Sequence, residues 1–257
     1  MRPQFHAYLA VVFFATLLDY TFHRFNRINN TTGRLNSEKY QWAAGHRNLM
    51  KTIIYASLTC LVFLLFWVSI HVVFFLLPLA AVTLLYSAPN YKKRMSSDIV
   101  QHIPGLKTIL LAFVWAAVTI LLPVLQSGDT FVTARVVWVF AERFTFVLAL
   151  AIPFDIRDIK ADTLAGIKTL TVVLGEKKSL RASNTLLFLS ICLALVHYAY
   201  QHMIFILLAY ALSGAVALFM INTKKLKTQK LYYHGILDGS IMLHGILICI
   251  SFFFRIG

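Results

Sequence analysis

The chain has 257 residues, of which 59% are apolar and only 13% charged, and it carries a formal net charge of +14. A soluble domain holds about 25% charged residues, so this composition excludes a water-soluble core. It also argues against a nucleic-acid-binding face, because the basic residues fall between apolar runs rather than along one stripe; anionic lipid headgroups, membrane topology and an anionic substrate account for them better.

Apolar runs of about 17 to 21 residues match a helix rising 1.5 Å per residue across about 30 Å of hydrocarbon. Eight spans are predicted, at residues 7–23, 50–69, 71–88, 106–125, 131–152, 183–200, 203–221 and 236–254. The first runs into Asp19, His23 and Arg24 without a small-residue cleavage site, so it reads as a retained helix. Cys60, Cys192 and Cys249 lie inside apolar runs with no partner at metal spacing and read as small buried or lipid-facing residues. Glu142 and Arg143 fall inside the fifth span, where a central charge costs about 2.5 to 3.5 kcal/mol on insertion scales. They either pair with other helices or line a cavity. His71, His197, His202 and His244 are scattered and read as interfacial or hydrogen-bonded packing.

The long links, 24–49, 89–105, 153–182 and 222–235, together with the helix ends that border them, hold 20 of the 24 Lys and Arg residues. Only Arg2, Arg135, Arg143 and Arg255 lie elsewhere. Basic loops stay in the cytoplasm. A single polytopic domain of the cell (inner) membrane is expected, with its long loops facing the cytoplasm and both termini on the other side.

The whole chain has ten carboxylates, and three of them crowd into FDIRDIKAD as Asp155, Asp158 and Asp162. Offsets of three and seven residues place all three within about 60° on one helical face. Like charges that close repel unless a cation sits between them. Hard carboxylate oxygens suit Mg²⁺, which usually binds through one or two carboxylates plus substrate phosphates; the implied ligand is a diphosphate. Asp158 and Asp162 also read as solvated charges paired with Arg157 and Lys160. Further on, Gly166 and Gly175 permit turns, and Lys168 can meet a phosphate as a mobile point charge.

DIRDIKADTLAGIKTLTVVLG resembles the second aspartate-rich segment of the UbiA-type intramembrane prenyltransferases. YSAPNYKKR, at 86–94, looks like a loop of that family, and YYHGILDGSIMLHG, at 232–245, looks like its last helix. The resemblance implies an all-α membrane bundle around a central cavity, capped by two aspartate-rich cytoplasmic loops where Mg²⁺ meets an isoprenyl diphosphate. It implies transfer of the isoprenyl group to an aromatic or lipid acceptor. By position, Asp155, Asp158 and Asp162 would be metal-side carboxylates, and Lys93, Arg94 and Lys168 would hold diphosphate oxygens, although Lys92, Lys93 and Arg94 read equally as a positive-inside anchor. Asp238 matches an Asp of the last helix and would face the pocket, although a carboxylate at a helix start is equally favoured by the dipole.

The family's first motif should end its second helix, but LLDYTFHRFNRINN ends the first span here. Of the expected Asp positions, Asp19 alone keeps its carboxylate; Phe22 and Asn26 stand at the others. Asp19, His23 and Asn26 share a helical face beside Arg24, a remodelled polar site that would hold a second magnesium poorly. Eight helices instead of the family's nine implies that the first is absent. Three readings follow: a Mg²⁺-dependent membrane prenyltransferase, an inactive relative that binds an isoprenoid or lipid, and, behind these, a transporter using Glu142, Arg143 and Asp238. No nucleic-acid or protein partner is expected.

Overall fold

A computed structural model of the chain describes residues 6–30, 38–87, 103–127, 133–164, 168–229 and 231–253. Every regular element among them is helical. The chain divides into two compact units, Met1–Ser97 and Asp98–Gly257.

The first unit contains α1 (Ala7–Asn30), α2 (Glu38–Gly45), α3 (Arg47–Leu65) and α4 (Ile70–Ser87). The long helices α1 and α3 pack together. Ile28, Ala43 and Met50 close a small core between the end of α1, α2 and the start of α3, with Phe25 and Ala44 against it.

The second unit contains α5 (Leu106–Ala116), a wide turn over Ala117–Leu121, and α6 (Leu122–Ser127). Beyond these come α7 (Ala134–Leu164), α8 (Leu170–Tyr200), α9 (Ile204–Asn222), the one-turn α10 (Lys224–Lys227), a wide segment Tyr232–Leu237, and α11 (Asp238–Phe253). The wide turn precedes Pro123, whose ring and missing N–H disturb the helical ladder one turn back; the Leu122 N–H donates instead to the Ala117 carbonyl, five residues earlier. The α7–α8 hairpin is the heart of this unit, with α5 on α7, α9 on α8 and α11 on α9.

Small residues bring α7 and α8 together. The buried Ser183 donates from Oγ to the Ala149 carbonyl at 2.7 Å, and seven residues on Ser190 donates to the Glu142 carbonyl at 2.9 Å. Apolar side chains gain nothing by leaving lipid, so membrane helices associate through such close packing and hydrogen bonds. Gly214 of α9 serves the same purpose: a Cβ there would meet Ile191 Cδ1 at 2.6 Å. The core they enclose runs through Phe146, Leu150, Leu187, Tyr210 and Leu237. Large apolar side chains such as Phe63, Trp67, Phe188 and Phe219 remain exposed, the inside-out pattern of a protein solvated by lipid.

Among the described residues, five helices are long and apolar enough to cross a membrane: Arg47–Leu65, Leu106–Gln126, Ala134–Lys160, Leu170–Tyr200 and Ile204–Asn222. Ile70–Thr83 and Gly235–Ser251 are shorter apolar helices. The chain is thus an all-helical, multi-pass membrane protein. The helix α1 is long, but Asp19, Arg24 and Asn26 make its second half polar.

The structure corrects the predicted loop 153–182. Pro153 lies inside α7, which continues to Leu164, and Leu170 already starts α8. Charge marks where a helix leaves hydrocarbon, not where it stops: the helix rises about 30 Å, one bilayer core, between Arg135 and Asp155. Within α8, Gly175 adopts φ 76° and ψ 164°, a region open almost only to glycine. The helix therefore consists of two pieces joined by a kink, where the sequence calls for a turn. Gly166 lies outside the described residues.

Candidate functional site

In the second unit, three helix ends converge on Asp155. Gly105 precedes α5 with φ 80°, and a Cβ there would lie 3.1 Å from Leu170 Cβ. Glycine thus lets the start of α5 close onto the start of α8. That approach sets Lys107 and Thr108 beside α7. The buried Thr108 donates from Oγ1 to Asp155 Oδ2, and the buried Thr171 donates to the Asp155 backbone carbonyl at 3.1 Å. Thr169 caps α8, accepting from the Val172 N–H at 3.4 Å, and its hydroxyl lies 3.1 Å from that of Thr171. Asp155 is therefore a knot between α5, α7 and α8 as well as a carboxylate.

About one turn on, Asp158 is held by its chain neighbour. Arg157 donates from Nε and Nη2 to the two carboxylate oxygens, each at 2.7 Å. The same guanidinium lies over two aromatic rings, 5.1 Å from the centre of Tyr233 and 5.8 Å from that of Phe154. The side chain of Asp158 is 46% exposed, so an incoming cation can compete with Arg157. Of the partners the sequence offered, Arg157 is the one the structure gives to Asp158.

Asp162 stands one further turn along. Burial, reinforced by the negative charge of Asp158, holds its carboxyl above the usual range, while Lys107 and Thr169 pull it back. Lys107 also acts electrostatically on Asp155. Lys168, chosen from sequence as the phosphate-binding cation, is exposed just before the α8 cap.

The other candidates are placed as follows. Asp238 is exposed and opens α11. Asp19, Arg24 and Asn26 lie on α1 in the first unit, each partly buried, with the Arg24 guanidinium 4.9 Å from the Tyr20 ring centre. Lys93 and Arg94 lie outside the described residues. Glu142 is fully buried and its Oε1 accepts from the Tyr198 hydroxyl at 2.8 Å, which settles for that residue the choice between helix pairing and cavity lining in favour of pairing.

Lys107, Thr108, Thr171 and the Arg157–Tyr233 contact were absent from the sequence-derived site. The signal for Thr169 was there: a threonine directly before an apolar run is a helix N-cap. The others are contacts between distant segments, and no local pattern announces them.

The donor set fits magnesium in one specific way. Among the described residues, no three His, Cys, Asp or Glu side chains form a metal-binding group. Mg²⁺ rarely uses an all-protein cage and pairs one or two carboxylates with substrate phosphates. Asp158 and Asp162, one turn apart and mutually repulsive, supply that number of hard oxygens, and the repulsion marks a place for positive charge.

The sequence model of the UbiA prenyltransferase family matches residues 42–233, about three quarters of the chain. The matched region contains Lys93, Arg94, the three α7 aspartates and Tyr233, and it excludes Asp19, Arg24, Asn26 and Asp238. No curated protein and no solved structure matches the chain significantly. With apolar helices long enough to cross a membrane and an aspartate-rich end to α7 inside the matched region, the chain belongs to the UbiA prenyltransferase family.

Proposed function

We propose that this protein is a Mg²⁺-dependent prenyltransferase of the inner membrane, with eight spans in one polytopic chain and its aspartate-rich end facing the cytoplasm. It moves an isoprenyl group from its diphosphate to an aromatic or lipid acceptor. The observation that carries this reading is the Asp158–Asp162 pair at the end of α7, which combines like charge with family membership. Bound Mg²⁺ would neutralise diphosphate oxygens and so ease departure of the leaving group. Asp158 and Asp162 would hold the metal, and Lys107 would balance the charge of the layer. Lys93, Arg94 and Lys168 would bind phosphate oxygens, with Asp19, Arg24 and Asn26 forming the reduced counterpart on α1, and Asp238 facing the pocket. Arg157, stacked on Tyr233, would hold Asp158 in the absence of metal and could meet a phosphate oxygen once Asp158 is engaged by a cation.

The experiment is pyrophosphate release from isoprenyl diphosphates of several lengths by purified protein in lipid, with and without Mg²⁺, against aromatic and lipid-alcohol acceptors. Mg²⁺-dependent release coupled to prenylated product is the expected result. Diphosphate binding without turnover supports the second reading, an inactive isoprenoid- or lipid-binding relative. That reading is favoured by Phe22 and Asn26, which stand where the family's first motif carries carboxylates.

A pH dependence follows from Asp162. Its raised carboxyl binds a proton more tightly in the folded protein than in the unfolded chain, so without metal the folded state loses stability as pH rises through that raised value. A cation at the pair needs the ionised form and reverses the trend. Thermal unfolding followed from about pH 4 to 7 should show Mg²⁺ stabilisation growing with pH and then levelling, starting above the ordinary Asp value of about 3.9. Asp162→Asn should flatten both curves; a Mg²⁺ effect equal at every pH contradicts the assignment.

A further inference from the structure

Basic residues gather where α8 and α9 meet, away from the carboxylates. The α8 helix carries Lys177, Lys178 and Arg181, while α9 ends at Asn222 and passes through the extended Thr223 into the lysines of α10, Lys224, Lys225 and Lys227. A reciprocal amide pair ties the two stretches together. Asn184 Nδ2 donates to Asn222 Oδ1 at 2.9 Å, and Asn222 Nδ2 donates to Asn184 Oδ1 at 3.1 Å. Lys177, Arg181 and Asn184 recur at helical spacing, so both cations share the face that holds this pair.

Lys177, Lys178, Arg181, Lys224 and Lys225 are exposed, and among the described residues none of them pairs with a carboxylate. The nearest acid in sequence, Glu176, sits about 100° round the helix from Lys177 and acts on Tyr233. One turn deeper on each helix an aromatic ring faces outward: Phe188 on α8 and Phe219 on α9, both 64% exposed. Cations thus stand above apolar surface at the level where a membrane helix leaves hydrocarbon.

We propose that this surface is a binding site for an anionic glycerophospholipid. Its phosphate lies against Lys177, Arg181 and the α10 lysines, and its acyl chains lie along Phe188 and Phe219. A free phosphate would use the cations alone; a zwitterionic lipid brings the same phosphate and chains but also a quaternary ammonium that the lysines repel, so it would bind more weakly.

The test is native mass spectrometry of the full chain in mild detergent, titrated with phosphatidylglycerol, phosphatidylcholine or inorganic phosphate. Phosphatidylglycerol should bind tightest. The triple variant Lys177→Gln, Arg181→Gln, Lys224→Gln should weaken it roughly a hundredfold, about 1 kcal/mol for each charge. A control triple, Arg47→Gln, Lys51→Gln, Lys160→Gln, removes the same charge and should leave the affinity nearly unchanged. Equal losses in the two triples would show diffuse attraction and overturn the site, as would equal binding of the two lipids. Phe188→Ser with Phe219→Ser keeps every cation and should weaken the lipid but not inorganic phosphate; phosphate binding as tightly as phosphatidylglycerol overturns the lipid assignment. None of these readouts depends on prenyl transfer.

Discussion

Alanine at Asp158 and Asp162 together should lower Mg²⁺-dependent prenyl transfer by about a thousandfold while leaving the thermal unfolding temperature in the absence of metal unchanged or higher. The rate follows from the scale on which preorganised charge stabilisation acts, about a hundred- to a thousandfold for a single lost group. The stability follows from the structure. The carboxyl of Asp158 is bonded by its neighbour Arg157 at a half-exposed site, and such pairs contribute about 0 to 1 kcal/mol. Asp162 is held above the usual carboxylate range by burial and by Asp158, so deleting both relieves repulsion. Asp155 is the wrong residue for this experiment, because its carboxylate accepts from the buried Thr108 of α5. Losing that carboxylate would loosen α5 from α7, confounding chemistry with folding, while the Thr171 bond to the backbone carbonyl would remain. If the double variant turns over at the parent rate, the metal is not at the end of α7. If it loses activity and also unfolds earlier, the pair is structural.

Five of the predicted spans coincide with helices long and apolar enough to cross a membrane, and these were legible because lipid imposes a one-dimensional signal, a run of apolar residues as long as the bilayer is thick. The Asp155, Asp158 and Asp162 cluster was legible for a related reason: carboxylates are scarce here, and three at helical spacing stand out. Where α7 stops was not legible, since Pro153 and the first aspartate look like the start of a loop and the helix continues through both. Nor was the division of labour among the three aspartates. It depends on Thr108 and Thr171 reaching Asp155 from separate segments and on Tyr233 meeting Arg157 from the last part of the chain. Lys107 counted in the sequence only as one more positive loop charge, and its effect on Asp155 and Asp162 arises from the turn that Gly105 permits.

Phe146→Ala should destabilise the second unit by about 3 to 5 kcal/mol, the range for truncating a fully buried aromatic residue. Phe146 is 0% exposed, stacked 4.1 Å from the His244 ring centre and set edge-on to Tyr210 at 6.0 Å. Between helices in lipid the loss is one of packing rather than of apolar burial, and a ring-sized gap forfeits contacts with α9 and α11 together. The polar groups around it make the gap worse. Ser213 donates its single hydrogen to the Tyr210 carbonyl at 3.0 Å, so its 2.7 Å contact with His244 Nδ1 requires the imidazole to donate. His244 Nε2 is then a bare acceptor, and among the described residues it has no hydrogen-bond partner; neither has Glu142 Oε2, one turn before Phe146. With the ring in place these atoms are sealed. A cavity beside them is polar enough to admit water, which converts a dry contact layer into a wet one. Phe146→Leu keeps most of the volume and should cost about 1 kcal/mol, so the difference between the two variants in thermal unfolding isolates the cavity. Equal stability of Phe146→Ala and the parent would mean that the layer through Phe146, Tyr210 and His244 does not hold α7 to α9 and α11.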